Sequence, residues 1–534
     1  MRNAGRIRWL VAPLVIAAAT QVVVVNSWPA FPSPNERARA YQALAIAGGA
    51  RLTIDEELRV YGGIEDIAVA AGQHYPNKAP GATLLLLPAA CLAQLLELTP
   101  AARLILTLWL GRLLAASLPF LLTVLMLARS LAPRLPRGAP LAVTAYALAT
   151  PALTASLLAF SHALAACLLL ASFLLLHSPR RPGRREAFAA GLLLGWAVVS
   201  EYPTAIPATV LVFCALPRLR GRALAAFAGV LGPLAALAAY NLACFGSPWT
   251  LSSGLESHPA YAALAGGGFF GVRLPTFAAL AGLLVSPARG LLVWSPLAAL
   301  AVVGAVGTKN PESPRGARLA LLLAPASLLV AMAGYPNWHG GWFPGPRYLL
   351  ATMPLVFILV AQGAERALAQ GWARVVAAVA AFWGLACTWL TLAAFPFPPE
   401  DFPLPALTLA APLLRDGVAV PSWLPPVLLL GVLGAGLVAA AAALIGTIAP
   451  RRPAEMALAL VLSVVLVALG LQLRPPATWK AALELAVIRD VYAGSPAGNA
   501  LEALRQRCTT AAECEQVDRW LVIRMRAARR GSAP

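Results

Sequence analysis

Between positions 28 and 102 a polar stretch interrupts an otherwise apolar chain, and it holds the side chains best suited to proton transfer. Asn35, Glu36 and Arg37 stand together near its start, Asp55, Glu56 and Glu57 follow, and Asp66 precedes the run Gly72-Gln-His-Tyr75-Pro-Asn-Lys78. A carboxylate such as Glu36 or Asp66 can take a proton from a hydroxyl group within hydrogen-bond reach. Each residue also has a plainer reading. Glu36 lies three residues from Arg39, the spacing of an ion pair on a helix surface. The run 55–57 reads as a solvated acidic patch. Lys78 is one of three lysines in an arginine-rich chain, with Lys309 and Lys480, and its ordinary alternative is a side chain that snorkels to the interface.

Later stretches add candidates. His162 lies in LLAFSHALAA and Glu201 in VVSEYPTA, both at the ends of apolar runs. An ionisable group at membrane depth is a functional candidate by default, against the alternative of a structural histidine and an interfacial acid. The stretch 335–354, YPNWHGGWFPGPRYLLATMP, gathers Trp338, His339, Trp342, Arg347 and Tyr348 among glycines and prolines. Glycine lets backbone approach a ligand, and tryptophan offers a stacking face. The planar fork of Arg347 suits a phosphate; an aromatic belt with a snorkelling arginine is the competing reading. No GxGxxG, HExxH or CxxC pattern occurs, so nucleotide, zincin and redox chemistry find no support.

The elements that must position these residues are helices in a membrane. The chain has 534 residues, 60% hydrophobic and 12% charged, against about 25% charged for a soluble domain. Its net charge of +19 does not point to nucleic acid, because the arginines cluster in short connections between apolar runs, as cytoplasmic loops do. Length and charge together predict an all-α polytopic protein with about thirteen spans. They place the amino terminus inside and predict a transmembrane domain over 1–472. Its large first extracytoplasmic loop is 28–102, and a small extracytoplasmic segment follows over 473–534. Within the loop, 36–47 is expected to form an amphipathic helix with Ala38, Tyr41, Ala45 and Ala47 on one face, capped by Ser33 or Asn35. The apolar run 79–98 is broken by Pro80, Gly81 and Pro88 and is placed on the outer membrane face. Five cysteines lie singly in apolar runs as small core residues. Cys508 and Cys514 lie in a polar segment predicted to be outside, where a disulfide persists, with a turn between them.

The order Asn35-Glu36, then Tyr41, then Gly72 to Tyr75, then Lys78-Ala79-Pro80 resembles the first loop of family 39 of the GT-C glycosyltransferases. That family includes protein O-mannosyltransferases and lipid A aminoarabinose transferases, and its pattern runs roughly D-E-x-x-Y, then G-x-x-Y-x-x-K-P-P. The resemblance covers the first hundred residues by motif and the rest by topology. It implies a plasma-membrane enzyme whose active site faces out and which moves a sugar from a polyprenyl-phosphate donor to a lipid, glycan or protein acceptor. Carried over, Glu36 is the second acid of the family pair and Lys78 meets the carrier phosphate. Asn35 stands where the family has its base. Either Glu36 serves instead, or Asp66 does, or transfer has been lost. Taken together, the residues and the resemblance give Asn35, Arg37, Tyr75, Lys78, His162, Glu201, Trp338, His339, Arg347 and Tyr348 as substrate-binding candidates and leave a divalent metal open. The alternatives are a lipid-linked sugar transporter or binding protein, against which no internal repeat is evident, and a non-catalytic descendant of the fold.

Overall fold

A computed structural model describes residues 9–25, 33–265, 267–268, 271–307, 315–420, 422–448, 453–492 and 499–531. It is helical almost throughout. Alanine and leucine dominate the long runs and both favour helix, and in an apolar solvent every backbone polar group must be paired within its own segment. Seven helical runs are long and apolar enough to cross a membrane: Pro100–Leu131, Tyr202–Phe245, Arg315–Ala333, Arg347–Ala367, Gly371–Ala394, Pro426–Ile448 and Pro453–Gly470. The chain is therefore read as a multi-pass membrane protein. These seven, counted among the described residues, do not confirm the expected number of about thirteen spans. Several of the predicted spans, such as Gly138–Leu148 and Ser161–His177, are shorter apolar helices, and two others merge into Tyr202–Phe245, which bends at Arg220 where φ is 48°.

Burial sorts the long runs. Arg347–Ala367 has 78% of its apolar window buried, against 17% for both Tyr202–Phe245 and Pro453–Gly470. The first is the centre of the bundle, and the other two turn leucine and valine outward (Leu224, Leu231, Val461 and Val464 among them), as lipid-facing helices do. Close crossings use small residues. A Cβ at Gly191 would stand 1.9 Å from the Ala226 carbonyl oxygen, and one at Gly229 would stand 2.1 Å from that of Phe188, so Arg184–Ser200 and Ala223–Phe245 meet backbone to backbone.

The first loop is an ordered subassembly. Helix α1 (Val11–Val25) leads to α2 (Pro34–Gly49), α3 (Asp55–Tyr61), a hairpin of β1 (Ile67–Ala70) and β2 (Gln73–Pro76), a 3-10 turn Pro80–Leu85, α4 (Leu87–Leu95) and α5 (Pro100–Arg112). With only nine residues, α4 is too short to cross a bilayer at 1.5 Å per residue. One expectation needs correction. Helix α2 is buried on all sides rather than amphipathic, since Glu36 and every residue from Ala38 to Ala45 is buried. Its cap position is Ser33, whose side chain makes no capping bond, while Asn35 is already inside the helix. What buries α2 is polar as well as apolar contact. Gln42 donates to the Tyr240 hydroxyl at 2.7 Å and accepts from Thr83 at 2.8 Å.

At the other end of the chain, Trp479–Val487 and the residues after it pack onto the loops 335–347 and 394–416. Tyr492 packs edge-on to Trp342 and parallel to Phe395, and edge-on to Trp520 further along the tail. Cys508 and Cys514 are joined as a disulfide with Cα atoms 5.4 Å apart. The chain turns between Ala500–Arg505 and Ala511–Gly531 to bring them together.

Candidate functional site

The hairpin builds the centre of the site. Its two turn residues, Ala71 and Gly72, have φ of 50° and 76°, the left-handed pair that a tight two-residue turn between twisted strands requires. The register pairs Ile67 with Pro76, which sets Asp66 against Asn77 at the open end. Lys78 Nζ then lies 3.1 Å from Asp66 Oδ1, and Asn77 Nδ2 donates to the same oxygen at 3.4 Å. Among the described residues, Asp66 Oδ2 carries no protein hydrogen bond. A second acid reaches this corner from far along the chain. Glu256 makes an isolated antiparallel bridge to Ala68, and its carboxylate accepts from Asn77 Nδ2. Burial raises the Glu256 pKa, against the opposing pull of Asn77 and Lys78. Nothing near Glu256 in sequence marks it, so reading the chain missed it.

Glu36 stands apart from this corner. Only 1% exposed, it takes a two-pronged ion pair from Arg112, with Nε to Oε1 at 2.7 Å and Nη2 to Oε2 at 2.8 Å, and a third bond from the Ala159 amide at 2.8 Å. Three donors on a buried carboxylate form a clamp joining α2, α5 and the segment just ahead of Ser161–His177. The expectation that Glu36 is the base gives way to this geometry, because a carboxylate so engaged has little left to offer a substrate hydroxyl. The signal for the clamp was in the sequence: Arg112 interrupts the apolar run LILTLWLGRLLAASL, and an arginine at such a position demands a partner.

A basic wall faces Asp66. Arg39, 3% exposed, donates to Asn35 Oδ1 and to Ser161 Oγ. Burial pulls its pKa down to about 10, against the raising effect of the Glu201 and Asp66 charges. Its Nε has no partner. Next to Ser161, His162 Nδ1 meets both oxygens of Glu201, at 2.7 and 2.9 Å; the two candidates are a single buried pair. The ring of His162 sits edge-on to Tyr348, centroids 6.3 Å apart, and lines a small cavity with Phe120, Tyr146 and Leu350.

Arg347 completes the wall. Its guanidinium lies 5.0 Å from the Tyr348 ring centroid and 6.0 Å from that of Phe160, and Nη2 donates to the Tyr348 hydroxyl at 3.2 Å. It is within electrostatic range of Asp66, and its Nε is buried without a partner. The loop makes room for it at Gly340, where φ is +77° and a Cβ would stand 2.8 Å from Arg347 Nε. The Arg37 Nε is likewise buried and unpaired.

Asp66, Lys78, Arg347, Tyr348, His162 and Glu201 thus converge, with Arg39 and Glu256 added by the fold. Other candidates are engaged elsewhere. Tyr75 is buried, with its hydroxyl on Gln73 and its ring against Phe245. Trp338 presses its ring onto Gly282, where a Cβ would stand 2.2 Å away. His339 Nδ1 pairs with Glu400 at 2.9 Å, in a second polar cluster. Among the described residues, no three His, Cys, Asp or Glu are grouped to hold a metal ion.

No family model and no curated protein matches this sequence. Among solved structures, the chain is similar to the archaeal oligosaccharyltransferase AglB from Archaeoglobus fulgidus, in complex with an inhibitory peptide and a dolichol-phosphate. The identity is 14% and the TM-score 0.41, covering 93% of this chain and 59% of that one. It is similar also to the Archaeoglobus fulgidus oligosaccharyltransferase tethered to an acceptor peptide containing the NVT sequon, at 14% identity and TM-score 0.41 over 93% of this chain and 58% of that one. The apo form gives 13% identity and TM-score 0.38 over 93% and 59%. The chain spans about three-fifths of the length of these structures.

Proposed function

We propose that this protein is a membrane glycosyltransferase of GT-C type. It moves a sugar from a polyprenyl-phosphate donor to an acceptor hydroxyl on the extracytoplasmic side. The observation that carries this is the juxtaposition of Asp66 and Lys78 beside a half-buried Arg347 whose buried Nε lacks a partner. An acceptor hydroxyl at Asp66 Oδ2 gives up its proton to the carboxylate as its oxygen bonds to the anomeric carbon. The bond from that carbon to the phosphate oxygen breaks, and the phosphate leaves with the electron pair. Lys78 and Arg347 hold the developing negative charge, Arg347 through a planar fork that a lysine cannot reproduce. The His162–Glu201 pair and Arg39 form the floor beneath the sugar. Tyr348 orients Arg347 through its hydroxyl.

A second reading, a protein that binds lipid-linked sugar without turning it over, draws on one observation. At the start of α2, where the resemblance places the base, Asn35 is bonded to Arg39 and Glu36 to Arg112. Sugar transfer from a radiolabelled polyprenyl-phosphate donor pool, measured beside donor binding in the same membranes, separates the two. Transfer that is lost in Asp66→Asn with binding retained supports the enzyme. Binding without any transfer by the wild type supports the alternative.

A further inference from the structure

A second polar cluster lies where the carboxy-terminal segment meets the late loops, walling what is here called the second cleft, and its composition is unlike that of the first. Its inner wall is Arg289, 1% exposed, whose terminal nitrogens donate to the carbonyls of Ala288, Gly341 and Pro398. Its Nε is buried and unpaired. Opposite stands Glu484, 8% exposed, with Oε2 also buried and unpaired. Asp401 lies beside Glu484 and shares a hydrogen bond with its carboxyl group. Lys480 Nζ is 2.7 Å from Asp401 Oδ2 and 3.4 Å from Glu400 Oε1. The indole nitrogen of Trp479, next to Lys480 in the sequence, is a second buried donor without a partner. Glu400 and Asp401 stay about a quarter to a third exposed (30% and 26%), so the cleft opens to solvent on one side.

Buried polar atoms are nearly always satisfied, so unpaired donors beside unpaired acceptors indicate a ligand or ordered water that supplies both. The charges identify the class. An anion would meet Glu400, Asp401 and Glu484, and a cation would meet Arg289 and Lys480. A hydroxyl group donates and accepts on one oxygen, and neighbouring hydroxyls on a sugar ring repeat the pattern. An indole at the edge suits the apolar face of the same ring. We propose that this cleft is a binding subsite for an uncharged sugar, held by Glu484, Asp401 and Arg289 and flanked by Trp479. Half of the site comes from the tail, which gives that segment a role in recognition. The subsite needs no turnover and stands apart from the transferase reading.

The test uses the full-length protein in nanodiscs, titrated with methyl α-glucoside, methyl α-mannoside and methyl α-galactoside, and followed by saturation-transfer NMR and tryptophan fluorescence. At least one glycoside is expected to bind saturably, Trp479→Phe to remove most of the fluorescence change, and Glu484→Ala to weaken binding about tenfold, as loss of a hydrogen bond to a charged or buried partner does. Lys480→Met, at a side chain 57% exposed, perturbs the cleft without risk to folding and is expected to weaken binding as well. Absence of saturable binding by all three glycosides, or equal binding by the wild type, Glu484→Ala and Lys480→Met, overturns the subsite.

Discussion

Lys78 Nζ reaches Asp66 Oδ1 at 3.1 Å across the open end of a hairpin, so the base of the proposed reaction and the cation that meets the leaving phosphate are delivered by one local element. Arg347 arrives from the opposite side on the most buried of the long helical runs. Replacing Lys78 or Arg347 by Ala is expected to weaken binding of a polyprenyl-phosphate analogue about tenfold to a hundredfold, the range for one charge-assisted hydrogen bond. Arg347→Lys recovers only part of this, because the fork is lost. Affinity measured by microscale thermophoresis in detergent checks the ranking, and equal affinity across the set removes the phosphate site.

The clamp between Glu36 and Arg112 predicts a stability effect. Glu36→Gln takes the carboxylate charge away from the buried Arg112 guanidinium, and losing one partner of a buried pair costs about 3–5 kcal/mol. Thermal unfolding in detergent is expected to show a large drop, and Glu36→Gln combined with Arg112→Met to recover much of it. A melting temperature unchanged in Glu36→Gln contradicts the clamp.

Gly340 and Gly341 form a matched pair of probes. Both have left-handed backbone, φ +77° and +71°, but a Cβ at Gly340 meets Arg347 Nε at 2.8 Å while one at Gly341 meets nothing within 4 Å. Alanine at either adds strain of about 1–2 kcal/mol. Only Gly340→Ala displaces Arg347, so it alone is expected to weaken donor binding. Loss of binding in both variants, or in neither, breaks the link between this loop and the arginine.

Docking of the tail is expected to depend on pH. The hydrogen bond from His339, with the charges of His339, Lys480 and Arg289, holds the Glu400 pKa at about 2, while burial and the Asp401 charge push Glu484 up to about 8. Glu400, depressed in the folded state, contributes stability that is lost as pH falls from its ordinary value near 4.5 through about 2. Glu484, raised in the folded state, contributes stability present below about 4.5 and lost as pH rises through about 8. Hydrogen exchange over Trp479–Val487 is therefore expected to be slower at pH 5 than at pH 8.5, and Glu484→Gln to remove most of that difference. Exchange that slows as pH rises, after correction for the intrinsic rate, runs against the assignment.

The sequence foreshadowed the parts that are apolar and long. Runs such as Gly371–Ala394 and Pro426–Ile448 announce themselves by length and hydropathy. The breaks at Pro80 and Pro88 marked 79–98 as something other than a crossing, and the structure has only Pro80–Leu85 and the nine-residue α4 there. The count of about thirteen spans is not confirmed, because short apolar helices such as Gly138–Leu148 fall below the length of a full crossing while a hydropathy reading scores them alike. The hairpin escaped notice because four-residue strands give little alternation and Ala-Gly is a weaker turn signal than Asn-Gly. Glu256 could not be placed with Asp66 without the fold, since the two are brought together by a backbone bridge to Ala68. Glu36 was legible as a special carboxylate but not as a clamped one, because its partner lies on α5 and its third donor is the backbone of Ala159.

The central claim is that Asp66 is the base of a sugar transfer, and the most direct measurement is transfer from a radiolabelled polyprenyl-phosphate donor pool in membranes carrying wild type, Asp66→Asn or Asp66→Glu, with protein amount and donor binding measured in parallel. Removing a positioned general base costs about a hundredfold to ten-thousandfold in rate. Asp66→Asn is expected to lose transfer on that scale while retaining donor binding, and Asp66→Glu, which keeps the carboxylate, to keep measurable activity. Transfer by Asp66→Asn at the wild-type rate contradicts the account.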